Sequence, residues 1–384
     1  MSRISGLFLL AIVVLGANQL LAATYAVGTC KPRFPSFTTI TAAVTSVPAG
    51  SVIDVCPGTY AEQFTISKPL TLQGIATGNA ARAVITVPFN VDGAPNLQPN
   101  TISQATGVYL GGDFPFAAQI LVQTPGPVNL TNLTIDGAGG NFGCFTQPPY
   151  VWLAGIFFTS GSSGNVNRVT TRNHLDAGCG SGIWAESAGG SQTVNITNSS
   201  LHDFDFSGLF AGTPGYDGSL SLSIKGNSVN GQKEVAQYGA AGINTSFVTA
   251  AVSGNTVTGG SVGIFNLSSA PATTISNNTV ADATTGIWID YDFGIAKNNN
   301  ISNTSTGINL QNNDATATYN TVRKSTTAIE INCSNTNVTV SNNTISDAGT
   351  ALNDIPGSVA SANSYYNVDT IRNQGFCPTK PAGR

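Results

Sequence analysis

The chain has only two histidines, His174 and His202, and both fall where ionisable residues gather: Asp136, Arg172, Asp176, Asp203 and Asp205. Elsewhere charge is scarce, since Asp, Glu, Lys and Arg make up 9% of 384 residues. Trp184 and Glu186 follow closely, and a segment at about 138–154 brings Tyr150 and Trp152. Carboxylates beside a histidine and an arginine can act as general acid and base, or hold a cation against an acidic sugar. Aromatic faces can pack on sugar rings. The stretch therefore points to saccharide chemistry. Asp176, His202, Asp203 and Asp205 are the catalytic candidates, and Arg172, His174, Trp184, Glu186 and Trp152 the substrate-binding ones. Repulsion between carboxylates of adjacent segments would raise one pKa, as an acid catalyst needs. The competing reading is structural, because Asp in turns readily caps local backbone N–H groups.

A second candidate pair, Asp290 and Asp292, follows Gly286-Ile287-Trp288. Two residues spaced by two on one strand share a face. With Glu330 or Asp314 from later segments they would bind a sugar or a cation such as calcium. No dedicated cofactor or metal site is otherwise expected, because there is no Cys-x-x-Cys and histidine is so rare.

These residues sit on a repeat. A mark of Asn, a small polar residue and an aliphatic recurs as Asn227-Ser-Val229, Asn255-Thr-Val257, Asn278-Thr-Val280, Asn299-Asn-Ile301, Asn320-Thr-Val322 and Asn343-Thr-Ile345. Looser copies are Asn173-His-Leu175 and Ser199-Ser-Leu201, giving spacings of 26, 28, 28, 23, 21, 21 and 23 residues. A second mark follows each: Gly182-Ile183, Gly208-Leu209, Gly242-Ile243, Gly263-Ile264, Gly286-Ile287, Gly307-Ile308 and Ala328-Ile329. Between marks the chain alternates apolar and polar, as in Leu220-Ser-Leu222-Ser-Ile224, which is strand periodicity. Short strands at such a period predict stacked coils, each burying its inner face on its neighbours. The recurring Asn suits a left-handed turn and can bond to its counterpart one coil away. Aligned on the aliphatic mark, Asp136, Asp176, His202 and Asn230 would form one row, and Gly137, Ala177, Asp203 and Gly231 the next.

The ends need caps. Apolar spacing over about 36–48 predicts one short helix at the N-terminal mouth, N-capped by Ser36 or Thr38 and stopped by Pro48-Ala-Gly50. Coils are expected over about 51–352, and a capping segment over 353–384. Residues 1–23 read as a signal peptide: Arg3, an apolar run Leu7–Leu15 and a small-residue exit at Ala22-Ala23. The solenoid domain would then be 24–384, secreted, periplasmic or at the cell surface, with no membrane span after cleavage and a monomer expected. Six cysteines in an exported chain favour disulfides. Nearest-neighbour pairing gives Cys30–Cys56, Cys144–Cys179 and Cys333–Cys377, one choice among several connectivities. Net charge is −4, the pI is about 5.0 and no basic patch is present, so a nucleic-acid partner is not expected.

The run from Phe37 to Gly74, with its helix, Pro57-Gly-Thr-Tyr-Ala-Glu62 turn and Leu70-Thr-Leu-Gln-Gly74 strand, resembles the opening of pectin-lyase-like right-handed β-helix proteins. The Asn-Thr-Val…Gly-Ile coils resemble the repeat of that superfamily, and the resemblance covers about 37–352. It implies an all-β, right-handed, single-stranded parallel β-helix with a short N-terminal capping helix. Gly58-Thr-Tyr60-Ala-Glu62 is similar to the first signature of pectin methylesterases, without their catalytic strand. Trp288-Ile-Asp290 is similar to a Trp-Ile-Asp-His segment of pectate lyases, with Tyr291 in place of the histidine. The resemblance implies a polysaccharide ligand or substrate and, in an enzyme, lyase or glycoside hydrolase chemistry. A non-catalytic surface spacer or adhesin on the same solenoid is the alternative.

Overall fold

The structure, a computed structural model, describes residues 22–76, 82–103, 113–140, 142–144, 150–213, 220–235, 239–267, 273–290, 293–311, 314–332, 337–354 and 359–374. Each coil lays down three short strands, and each pairs in parallel with its counterpart in the next coil. The first strands stack as a 14-stranded sheet that runs from Ser36–Phe37 through Thr24–Val27, Val52–Val55, Leu70–Gly74 and Val128–Thr131 to Val359–Ser361. The second and third strands form two faces of one 21-stranded sheet, because in the late coils they run on unbroken, as in Asn300–Gln311 and Thr321–Ile331. This is the β-helix expected from the repeat.

The interior follows from alternation. Leu220, Leu222 and Ile224 turn inward while the residues between them face out. Leu201, Val229, Val257, Val280, Ile301, Val322 and Ile345 pair in register along the second strands, and each is at most 1% exposed. One continuous core holds them.

Two internal rows fix the corners. Asn227, Asn255, Asn278, Asn299, Asn320, Asn343 and Asn363 form a ladder. Asn278 Nδ2, for example, donates to Asn299 Oδ1 at 3.0 Å and to the Val252 carbonyl at 3.0 Å, while its Oδ1 accepts from Asn255 N and Nδ2. The glycine of the second mark lies where backbone closes on backbone. A Cβ on Gly242 would come within 2.7 Å of a Val257 methyl and 2.8 Å of the Gly263 carbonyl oxygen.

The N-terminal end is closed by a helix, Ile40–Ser46, which buries Ile40, Ala43 and Val44. Its N-cap is Thr39, not Ser36 or Thr38, because Ser36–Phe37 is used as a strand against Ala26 and Val27. The first coils complete both helix ends. Glu62 accepts from Ile40 N at 2.9 Å and Thr41 N at 2.7 Å, and Lys68 Nζ donates to the Thr45 and Val47 carbonyls at 2.7 Å. A carboxylate at the start and an ammonium at the end also oppose the helix dipole. At the other end the coils do not stop near 352. Val359–Ser361 and Ser364–Gln374 add another turn in register, with Asn363 extending the ladder. Cys30–Cys56 and Cys144–Cys179 are bonded as expected, whereas Cys333 and Cys377 lie outside the described residues, as does nearly all of the signal segment.

Candidate functional site

The ionisable cluster of the early coils divides among three places. The expected stacking of Asp176 on His202 does not occur. Thr171, not Leu175, pairs with Leu201 and with Ile135, so the true row is Asp136, Arg172, His202, Asn230. A polar Thr occupies the aliphatic position, while Asn173-His-Leu175 imitates the mark further along; Leu175 is 36% exposed.

The first place is the open outer face of the second strands. Arg172 Nε donates to Asp136 Oδ2 at 2.8 Å, and Asn173 Nδ2 and Ala138 N donate to Asp136 Oδ1 at 2.8 and 3.0 Å. Burial alone would raise the Asp136 pKa, but the bonds from Asn173, Ala138 and Arg172 outweigh it and hold the carboxyl below its usual range. One coil on, His202 Nδ1 lies 2.6 Å from Asp203 Oδ2, and both side chains are about a third exposed. Where Nδ1–H donates to the Asp203 carboxylate, the other ring nitrogen, Nε2, is the one left to face outward. Asp203 is aimed by its left-handed backbone, φ 54°, a conformation shared along this corner by Asn173, Asp282, Asn303 and Asp347.

The second place is the corner between second and third strands, where Asp176, Asp205 and His174 are buried. Asp176 Oδ1 accepts from the backbone N–H groups of Phe142 and Gly143 at 2.8 Å and Cys144 at 3.4 Å. Asp205 accepts from Asp176 N and Gly180 N at 2.6 Å. Burial pushes Asp176 up to about 6 and raises Asp205 as well, against the opposing pull of those bonds. Both carboxylates hold loops, which is the turn-capping role, and this geometry gives them no open face toward a substrate. His174 is fully buried beside Gln119, whose Nε2 donates to the Asp136 carbonyl and whose Oε1 therefore faces His174 Nε2 at 2.8 Å. Burial lowers His174 to about 4, so the ring is neutral and structural.

The third place is the outer face of the third strands, where the side chains are buried in a second apolar cluster. Trp152 and Trp184, at most 1% exposed, are locked with Phe116, Phe157, Phe206 and Phe210; Trp184 stacks on Phe210 at 3.8 Å. Neither indole is open to a sugar. Glu186 accepts from Trp184 Nε1 at 3.2 Å and Ser103 Oγ at 2.5 Å. Asp290 is on this face in a later coil, 6% exposed, in register with Gln311, which accepts from Trp288 Nε1 at 2.9 Å. Glu330 is in register with Asn309 and thus two coils from Trp288; Asp314 sits at a turn with φ 57°. Asp292 lies outside the described residues.

The sequence reading passed over Glu234. Its Oε1 accepts from Ser261 N at 2.9 Å and from Ser261 Oγ, stitching one coil to the next, and burial pushes it up to about 7. Its place in the turn after Gly231, one coil beyond Asp205, is the signal that could have revealed it.

Against known proteins, residues 181–345 match the family described as right-handed beta helix region. Three similar solved structures are a Dettilon tailspike protein, a periplasmic alginate epimerase AlgG double mutant, and a tailspike double mutant of E. coli bacteriophage HK620 in complex with pentasaccharide. The Dettilon protein is 13% identical, with TM-score 0.52 over 83% of this chain and 62% of that chain. The epimerase is 10% identical, with TM-score 0.55 over 87% and 83%. The HK620 protein is 11% identical, with TM-score 0.53 over 84% and 62%. The chain thus spans less than two thirds of the tailspike chains, and at these identities the likeness is one of fold. No curated protein matches. The two disulfides suit an oxidising, extracellular or periplasmic setting.

Proposed function

We propose that the chain is a secreted or cell-surface protein that binds and cleaves a uronate-containing polysaccharide on the outer face of the second strands. The observation that carries this reading is the His202–Asp203 pair, each side chain about a third exposed, one coil from Arg172. His202 Nε2 is the base. It removes the proton beside the uronate carboxylate, the electron pair forms a carbon–carbon double bond, and the glycosidic oxygen leaves and takes a proton from water. Arg172 supplies positive charge near the carboxylate where negative charge develops. Hydrolysis fits less well. It needs two carboxyls free to flank the scissile bond, but Asp176, Asp205 and Glu234 hold backbone at the corner, Asp136 is bound by Arg172, Asn173 and Ala138, and Asp203 is engaged by His202. The alginate epimerase and the tailspike bound to pentasaccharide support saccharide handling on the same scaffold.

Incubation with a panel of uronate and neutral polysaccharides tests this. Unsaturated products absorbing in the ultraviolet are expected from a uronate polymer. Reducing ends without such absorbance would reject elimination.

The second reading is a rigid surface spacer. The observation favouring it is the unbroken Asn227–Asn363 ladder, beside which the second-strand face carries mostly uncharged Asn230, Thr258, Ala281 and Ser302. Absence of any product across the panel would favour it.

A further inference from the structure

A solenoid supplies its own controls, since every coil presents the same backbone position. The corner just before the Asn ladder has φ between 50° and 70° in every described coil from Asn132 onward. Most coils fill it with residues that tolerate this conformation: Asn132, Asn198, Asn277, Asn298 and Asn342, or Gly226 and Gly254. Arg168, Ala362 and Tyr319 depart from the pattern, and of these three Tyr319 is the one that presents an aromatic ring. It holds φ 57° with a ring that is 55% exposed, so its side chain gains little burial to offset the strain.

A second departure lies beside it. Along the outer face of the first strands, Ser253, Ser276, Lys297, Thr318 and Ser341 are in register, and Lys297 is the one charged member of these five. Its Nζ stands 6.0 Å from the centroid of the Tyr319 ring. Lys225 precedes Ser253 in the same row, three coils from Lys297. At about 4.8 Å per coil that is roughly 14 Å along the axis. From Gln192 to Ser361 the described first strands carry no carboxylate, so the face is cationic where it is charged at all. The exposed side chains of Asn298 and Asn342 flank the ring one coil to either side.

We propose that Tyr319 and Lys297 form a binding platform for an acidic saccharide, separate from the second-strand face that carries His202. The Tyr319 ring receives the C–H face of a pyranose, Lys297 pairs with its carboxylate, and Asn298 and Asn342 offer amides to its hydroxyls. The row back to Lys225 lets a polymer run parallel to the solenoid axis. The inference stands on the Tyr319 and Lys297 geometry and does not depend on catalysis at His202.

Calorimetric titration of the full chain with oligogalacturonate, and with a cello-oligosaccharide as the neutral probe, tests it through three variants. Tyr319→Asn restores the residue that the corner favours. It is expected to raise Tm while weakening oligogalacturonate binding by about tenfold or more. Tyr319→Phe keeps the ring and is expected to bind as the native chain does. Lys297→Gln is expected to weaken oligogalacturonate binding and flatten its salt dependence. The proposal is overturned if the native chain binds no oligogalacturonate, if Tyr319→Asn binds it unchanged, or if the neutral probe binds equally well and Lys297→Gln has no effect.

Discussion

At the scale of single residues, burial separates the groups that hold the chain together from those that can meet a substrate. Asp176 and His202 looked alike in sequence, since each follows an aliphatic residue in a charged stretch. One accepts three backbone N–H groups and the other keeps a third of its side chain open. Asp176 has a folded pKa of about 6 against an ordinary value of 3.8. Its ionised form is the disfavoured one, so its contribution to stability is complete below about pH 4 and is lost as pH rises through about 6. Asp176→Asn retains an acceptor for the 142–144 loop and removes the charge. It is expected to gain thermal stability relative to the native chain as pH rises from 4 to 7, by a few degrees in a melting series. A variant less stable than native at pH 7 would show that the loop needs the charge itself. His174 runs the other way. Lowered from 6.5 to about 4, it contributes fully above about pH 6.5, and that contribution is lost as pH falls toward 4.

At the scale of elements, the rows were legible wherever one residue type recurred with one duty. Asn278→Ala leaves Asn255 Nδ2, Asn255 N and the Val252 carbonyl without partners. It is expected to cost about 2–4 kcal/mol, read from urea unfolding. Gly242→Ala drives a methyl into Val257 and the Gly263 carbonyl, and a loss of about 1–3 kcal/mol is expected by the same measurement. The capping helix was also visible, because Ile40, Ala43 and Val44 recur at helical spacing. The register at 168–176 was not. Thr171 is buried in the aliphatic row, and one polar residue there suffices to make the next Asn-x-aliphatic triplet look like the mark. The fate of Trp152 and Trp184 was hidden for a different reason. Their strands, Trp152–Phe158 and Gly180–Glu186, are buried on both faces, because the outer one packs with Phe116, Phe206, Phe210 and Cys144 into a second cluster. Local alternation cannot show that, although the lack of alternation in Trp152-Leu-Ala-Gly-Ile-Phe-Phe158 was a sign of it.

At the scale of the whole molecule, the solenoid fixes faces more firmly than it fixes chemistry. Each outward position becomes a line of side chains about 4.8 Å apart, so a site is an interruption in a line. The His202 row and the Tyr319 corner are two such interruptions, on different faces. The sparse charge of the chain, 9% of residues, makes each one stand out against Asn, Thr and Ser.

The most direct test of the central claim compares three proteins on one uronate polymer, following the ultraviolet absorbance of unsaturated product: the native chain, Asp176→Asn and His202→Ala. The native chain and Asp176→Asn are expected to turn over at similar rates, and His202→Ala to fall by about a hundredfold or more. Undiminished turnover by His202→Ala, or its loss in Asp176→Asn while that variant stays folded, would contradict the assignment of the open face as the site.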